Sequence, residues 1–146
     1  MRVYLDNCCF NRPFDDKSQI RVKLEAEAKL YIQEEIRLGR IELIWSYILE
    51  YENSVNPFEE KVKQILEWKI IALETIVENR KVKENSSLFL KLGIKRKDSL
   101  HIACAIEGNC EYFITTDDKV LQKGKNIKKI TIVDPIQFIK IIGENQ

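Results

Sequence analysis

Two acids in this chain follow short apolar runs: Asp6 directly after VYL, and Asp117 one residue beyond YFIT. An acid so placed projects at the carboxyl edge of a sheet, where open α/β folds put their ligand sites. Two further acids fall on segments with helical patterning, Glu52 in WSYILEYEN and Asp98 in KDSLHIACA. Four carboxylates from four elements can converge there. Like charges a few ångströms apart resist simultaneous ionisation, and a hard divalent cation resolves that conflict. Mg²⁺ and Mn²⁺ prefer oxygen ligands, keep several waters and need only a few protein carboxylates. Such an ion activates an attacking water and stabilises charge on a phosphate; two of them, ~3.5–4 Å apart, clamp both the attacking and the leaving oxygen. Each acid also has a plainer use. Asp6 and Asp117 suit turns or caps, Asp98 suits the first turn of a helix, and Glu52 suits a solvated helix face. Glu50 competes with Glu52, and Asp118 with Asp117. Joint placement at strand ends favours the chemical reading.

Around these acids stand groups that could meet a substrate. Lys95, Arg96 and Lys97 directly precede Asp98, and Arg12 follows the first motif. They could hold phosphates beside an otherwise repellent acidic pocket, or form a solvated basic turn. Phe10 and Asn11 could line the site or stack a base, though core packing and turn chemistry explain them nearly as well. His101 lies among Leu100, Ile102 and Ala103, which favours a structural imidazole over a general base. Lys123, Lys125, Lys128 and Lys129 read as a solvated loop, and Trp45 and Trp68 as core.

The elements that must position the acids follow from periodicity. RVYL is a buried strand ending at Asp6. A helix is expected from Ser18 to Leu38, capped by Ser18, with Leu24, Ala28, Tyr31, Ile32 and Ile36 on its apolar side and Gly39 at its end. Ile41 to Trp45 is a second strand, after which Ser46 caps a short helix carrying Glu50 and Glu52. Asn56-Pro57 predicts a helix start, with the helix running to about Val77. Residues 78–87 carry no clear pattern. A short helix spans Leu88 to Leu92, and a longer one Lys97 to Glu107. Tyr112 to Thr115 and Ile130 to Val133 are strands, and Asp134-Pro135 opens a last helix. Strands alternating with helices indicate an α/β domain with a mostly parallel sheet.

Bulk properties set limits. The 146 residues, 45% apolar and 32% charged, suit one globular domain with a real core. No apolar run reaches the ~18 residues of a membrane helix. The start is interrupted by Asp6, unlike a signal peptide, so a cytoplasmic location without membrane contact is expected. The four cysteines (Cys8, Cys9, Cys104, Cys110) form no Cys-x-x-Cys pair and read as small buried hydrophobes. A net charge of +1 excludes a polycation that coats nucleic acid, so any such partner must be held by local patches.

The opening VYLDN, the segment WSYILEYEN, the helix KDSLHIACA and the strand-turn FITTDD resemble PIN domains in order and spacing, over nearly the whole chain. The longer opening YLDNCCFNRPFDD is similar to a prokaryotic subgroup of that family. The resemblance implies a single three-layer α/β/α domain over 1–146, with a central, mostly parallel sheet of about five strands. It implies an endoribonuclease dependent on Mg²⁺ (or Mn²⁺) that leaves a 5′-phosphate and a 3′-hydroxyl, in many members the toxin of a VapC-type toxin–antitoxin pair. RNA, an antitoxin protein and a second copy of the chain are the partners it brings. Carried over by motif, Asp6 and Asp98 are the central metal ligands. Glu52, six residues beyond Ser46, completes the shell or orients the water, and Asp117 binds a second or weaker metal. Thr115 looks like the hydroxyl that accompanies the last acid. Where the family often has a small hydroxyl residue after the first acid, this chain has Asn7, whose amide can bond a ligand or water. Asn7, Arg12, Lys97 and Thr115 are the expected substrate contacts. A PIN-like module that binds RNA or protein without cutting is the alternative, though such a module needs no metal ligands. A response-regulator-type phosphoacceptor would also place acids at strand ends. It needs an acidic pair before the first strand and a late strand-end lysine, whereas RVYLDN has one acid and Val133 leads into Asp134-Pro135.

Overall fold

A computed structural model describes residues 1–11 and 18–144. The chain runs β1 (Arg2–Leu5), α1 (Asn7–Asn11), α2 (Ile20–Arg37), β2 (Glu42–Ser46), α3 (Tyr47–Ser54), α4 (Glu59–Ile71), β3 (Glu74–Ile76), α5 (Arg80–Lys91), α6 (Arg96–Glu107), β4 (Tyr112–Ile114), α7 (Asp118–Lys123), β5 (Thr131–Val133) and α8 (Pro135–Glu144). The strands pair in the order β3-β2-β1-β4-β5, every pair parallel. Helices flank the sheet, as the α/β/α expectation requires. Among the described residues no helix is long and apolar enough to cross a membrane.

Burial explains why the central strands read as continuous apolar runs. Val3, Tyr4 and Leu5 of β1 and Leu43, Ile44 and Trp45 of β2 are all buried, with no alternation. That is the pattern of a parallel sheet covered on both faces. Tyr4 stacks on Phe113 of β4, ring centroids 5.4 Å apart, and Phe10 meets Trp45 edge-on. The sheet order also creates a crevice. From β1 the chain moves outward to β2 and β3, then returns to place β4 on the other side of β1. The carboxyl ends of β1 and β4 therefore adjoin at the point where the winding reverses.

Several boundaries differ from expectation. Gln19, not Ser18, stands at the cap of α2, without a side-chain cap bond. The buried side of α2 is rotated as well: Leu24 and Tyr31 are exposed, while Glu25, Lys29 and Glu35 are buried. Asn56 does not cap α4. Its Oδ1 accepts from the Phe58 amide at 3.1 Å, and the helix begins at Glu59. Nor does α4 reach Val77; it stops at Ile71, and Glu74–Ile76 forms edge strand β3 beside β2. The unpatterned stretch belongs to α5, whose cap Asn79 accepts from the Val82 amide at 3.0 Å. Gly93 ends that helix at φ +87°, a left-handed conformation that glycine adopts without strain.

Candidate functional site

The register of β1 and β4 sets the first contacts. Leu5 pairs with Ile114, so the next residues, Asp6 and Thr115, emerge side by side. The Asp6 amide continues the ladder to Ile114 O at 2.9 Å. Thr115, fully buried, donates its hydroxyl to Asp6 Oδ2 at 2.8 Å and accepts the Asp117 amide at 3.1 Å. One hydroxyl thus ties the first acid to the fourth. Asp117 Oδ1 caps α7 through the amides of Lys119 and Val120, at 2.9 and 3.3 Å. Asp118 points elsewhere: Arg21 of α2 holds both its oxygens, at 2.9 and 2.7 Å.

Ser46 ends β2 and caps α3, its Oγ accepting from the Leu49 amide at 3.2 Å. Two residues apart on α3, Glu50 and Glu52 face different ways. Glu50 pairs with Lys69 of α4. Glu52 turns inward to His101 Nε2, and its other oxygen accepts from Asn7 Nδ2 at 3.3 Å. Behind His101 the chain of bonds continues: Nδ1 meets the Tyr4 hydroxyl at 2.6 Å, and that hydroxyl meets Ser46 Oγ at 2.6 Å. A neutral imidazole accepts from Tyr4; a charged one donates to it while Tyr4 donates to Ser46. In either state Nε2–H donates to Glu52. Burial is the largest single effect and opposes charge on Glu52, but the hydrogen bond and charge of His101, with Lys97 and Asn7, together hold the carboxyl below its usual range. Burial likewise opposes charge on His101, yet Glu52 and Asp6 raise its pKa. His101 Nε2 also lies 3.9 Å from Asp6 Oδ1.

Asp98 sits in the first turn of α6, half-buried. Burial, then the charges of Asp6 and Asp117, push its pKa up to about 6. The four acids therefore share one electrostatic site. Among the described residues no three acidic, imidazole or thiolate groups stand close enough to hold an ion as they are. Glu52 is engaged by His101, and Asp117 by its helix cap. A small hard cation fits such a set, because it keeps several waters and needs only one or two direct carboxylates. Asn7 Oδ1, buried and without a hydrogen-bond partner among the described residues, adds an acceptor at the same place. Oxygen donors dominate, which suits magnesium or manganese rather than zinc.

The family model for the PIN domain matches residues 3–126. The chain belongs to the PIN-domain family. Solved structures share the fold. VapBC2 from Rickettsia felis, bound to a DNA fragment from its promoter, is 19% identical over 92% of this chain and 98% of that one, with TM-score 0.59. DNA-bound VapBC from Salmonella typhimurium gives 17%, 92%, 98% and 0.56. VapBC-1 from nontypeable Haemophilus influenzae gives 17%, 93%, 99% and 0.54. No curated protein sequence matches.

This PIN domain places the remaining expected residues unevenly. Lys97 lines a cleft with Asn7 and Glu52. Lys95 lines another with Asp98, Asp117, Lys119 and Lys123. Arg96 lines a separate cleft with Tyr47 and Glu78, away from the acids. Lys123, expected in a solvated loop, donates to Gly93 O at 2.8 Å. Thr115, expected to touch substrate, is instead a buried strut of the acids, its hydroxyl bonded to Asp6, the Asp117 amide and Cys8 Sγ inside the protein. Arg12 lies outside the described residues, as does the side chain of Asn11. Phe10 is core, packed on Trp45 and beneath Lys29. Cys9, Cys104 and Cys110 are buried and all four cysteines are free. The sequence reading of His101 as a structural imidazole and of Ser46 as a cap holds, but it did not show that Tyr4 and Ser46 extend the chain of bonds behind Glu52. Its only signal was a histidine three residues after Asp98 on an otherwise apolar helix; the partner Glu52 is distant in sequence.

Proposed function

We propose that this PIN domain is a divalent-metal-dependent endoribonuclease, acting as the toxin of a VapC-type pair. The observation that carries the reading is the pairing of Asp6 and Asp117 at the β1–β4 crevice through the buried Thr115 hydroxyl. Half-buried Asp98 stands within reach of both charges, which add to burial in raising its pKa. Three acids kept in that relation cost stability unless a cation joins them. Asp6 and Asp98 are the residues that would hold Mg²⁺ or Mn²⁺, with Asp117 adding charge at the far side. When bound, the ion supplies Lewis-acid activation of water and charge stabilisation on the phosphate.

The chain's own residues supply position. Thr115 fixes the rotamer of Asp6, and the α7 cap fixes Asp117. Glu52, held by His101 and Asn7, orients the attacking water. Hydrolysis then adds water across the P–O3′ bond: the water oxygen ends on the 5′-phosphate, and a proton ends on the 3′-oxygen. Lys95 and Lys97 flank the acids and offset their repulsion of the RNA backbone. The similar solved structures are VapBC complexes, which supports an antitoxin as partner.

Asp6→Asn tests the assignment. It keeps the size and one acceptor oxygen while removing the charge, so the circular dichroism spectrum stays unchanged while RNA cleavage falls by ~100-fold or more, the scale of losing a key electrostatic group. Wild-type cleavage by that variant with Mg²⁺ present rejects the assignment.

A further inference from the structure

Beside the acids, on the α3 side, the surface opens into a cleft of about 420 Å³. That lies within the ~300–1,000 Å³ of sites that take small organic groups. Asn7 and Glu52 form one wall, Pro57, Phe58 and Lys61 line another part, and Lys97 completes it. Phe58 is 59% exposed. It occupies the cap position of α4 without making a side-chain cap bond, where a small polar residue would stabilise the helix better. The Asn56 turn holds its backbone in place. This ring neither fills the core nor serves the helix. Lys61 Nζ lies 4.7 Å from its centroid. Lys97 Nζ lies 5.7 Å from the ring of Tyr51, and its charge reaches Glu52.

A largely exposed aromatic ring with one ammonium group over it and a second lining the same cleft is a composition that binds unpaired nucleotides. The base stacks on the ring, and phosphates meet the cations. A peptide side chain could also rest on Phe58, but a polar wall with two lysines matches a polyanion better than an apolar segment. We infer that the cleft formed by Asn7, Glu52, Phe58, Lys61 and Lys97 binds an unpaired base of single-stranded nucleic acid next to the cleaved phosphate. The base stacks on Phe58, and the flanking phosphates meet Lys61 and Lys97. The inference rests on the nuclease reading, whose acids form the adjoining wall. Because a duplex keeps its bases stacked, the cleft selects single strands.

The full-length Asp6→Asn chain, which does not consume its ligand, is titrated with a short single-stranded RNA carrying 2-aminopurine, whose fluorescence is quenched on stacking. Parallel arms use the same sequence as single-stranded DNA and as duplex RNA. Phe58→Ala is expected to abolish the quench and weaken single-strand binding about tenfold or more. Phe58→Trp should restore both, and duplex binding should be weaker and indifferent to residue 58. The RNA and DNA arms distinguish the sugar. In the Asp6 background, Mn²⁺-supported cleavage by Phe58→Ala should show a raised KM at nearly unchanged kcat. Quench and affinity unchanged in Phe58→Ala overturn the inference and leave the ring to a protein partner, even if the parent chain cleaves RNA. A chain that cleaves nothing with either metal overturns the nuclease reading, while the quench still decides the cleft.

Discussion

Asp98 keeps its proton up to about pH 6 because it is half-buried beside Asp6 and Asp117, whereas an unfolded aspartate titrates near ~3.9. Between those values the folded chain binds more protons than the unfolded one, so stability falls as pH rises through that window. His101 acts with the same sign. Its raised pKa stabilises the fold fully below the ordinary value of ~6.5 and loses that contribution as pH rises through the folded value. In EDTA the protein should therefore melt higher at pH 5 than at pH 8. Asp98→Asn should raise the pH 8 melting temperature by roughly 3 °C, about 1 kcal/mol once the exposed half of the group is allowed its solvent screening. A lower melting temperature for that variant contradicts the coupling. Lys29 gives the opposite slope. It is fully buried, with no hydrogen-bond partner among the described residues, and burial lowers its pKa to about 8. Unfolded lysine titrates near ~10.4, so stability should rise between pH 8 and 10. Lys29→Met, which keeps the stem against Phe10, should add about 2 kcal/mol at pH 7 in urea titrations and much less at pH 10. Equal effects at both pH values count against the buried charge.

At the scale of elements, β1, β2, β4 and β5 were legible because their apolar runs are short and end at polar residues. So were the helices opened by Ser46 and Asp134, whose side chains do accept helix amides. β3 was not: ETI is three residues long and follows an apolar helix whose pattern runs into it, and only pairing with β2 makes it a strand. The buried side of α2 was hidden for another reason. Its charged residues are covered by the tertiary fold, which helical periodicity does not describe. The same limit applies to the site. Strand ends marked Asp6 and Asp117, but the direction each neighbouring acid takes is set by its partner: His101 for Glu52, Lys69 for Glu50, Thr115 for Asp117 and Arg21 for Asp118. Three of these partners are remote in sequence; Thr115 is near Asp117 in the chain but is fixed there by its bond to distant Asp6. The junction between α5 and α6 aims Asp98, and Gly93 holds it at φ +87°. Gly93→Ala should cost about 1 kcal/mol by forcing a β-carbon into left-handed backbone, read as a drop in the urea midpoint at constant slope. A stabilised variant argues against that strain.

At the scale of the whole molecule, a net charge of +1 hides a strong local contrast. Asp98 and Asp117 line one cleft with Lys95, Lys119 and Lys123, and Glu52 lines another with Lys61 and Lys97. Such a surface attracts a polyanion only locally, so binding should weaken with salt through a few phosphate contacts rather than many. The parallel sheet supplies the rigid edge, and the reversal of winding between β1 and β4 supplies the crevice. The most direct test of the central claim is cleavage of a 5′-labelled single-stranded RNA by the purified chain. Mn²⁺ is titrated in, then removed with EDTA. The account predicts no cleavage without the ion, products with 5′-phosphate and 3′-hydroxyl ends with it, and arrest on chelation. Cleavage that persists in EDTA, or that leaves cyclic phosphates, contradicts a metal-dependent acidic centre.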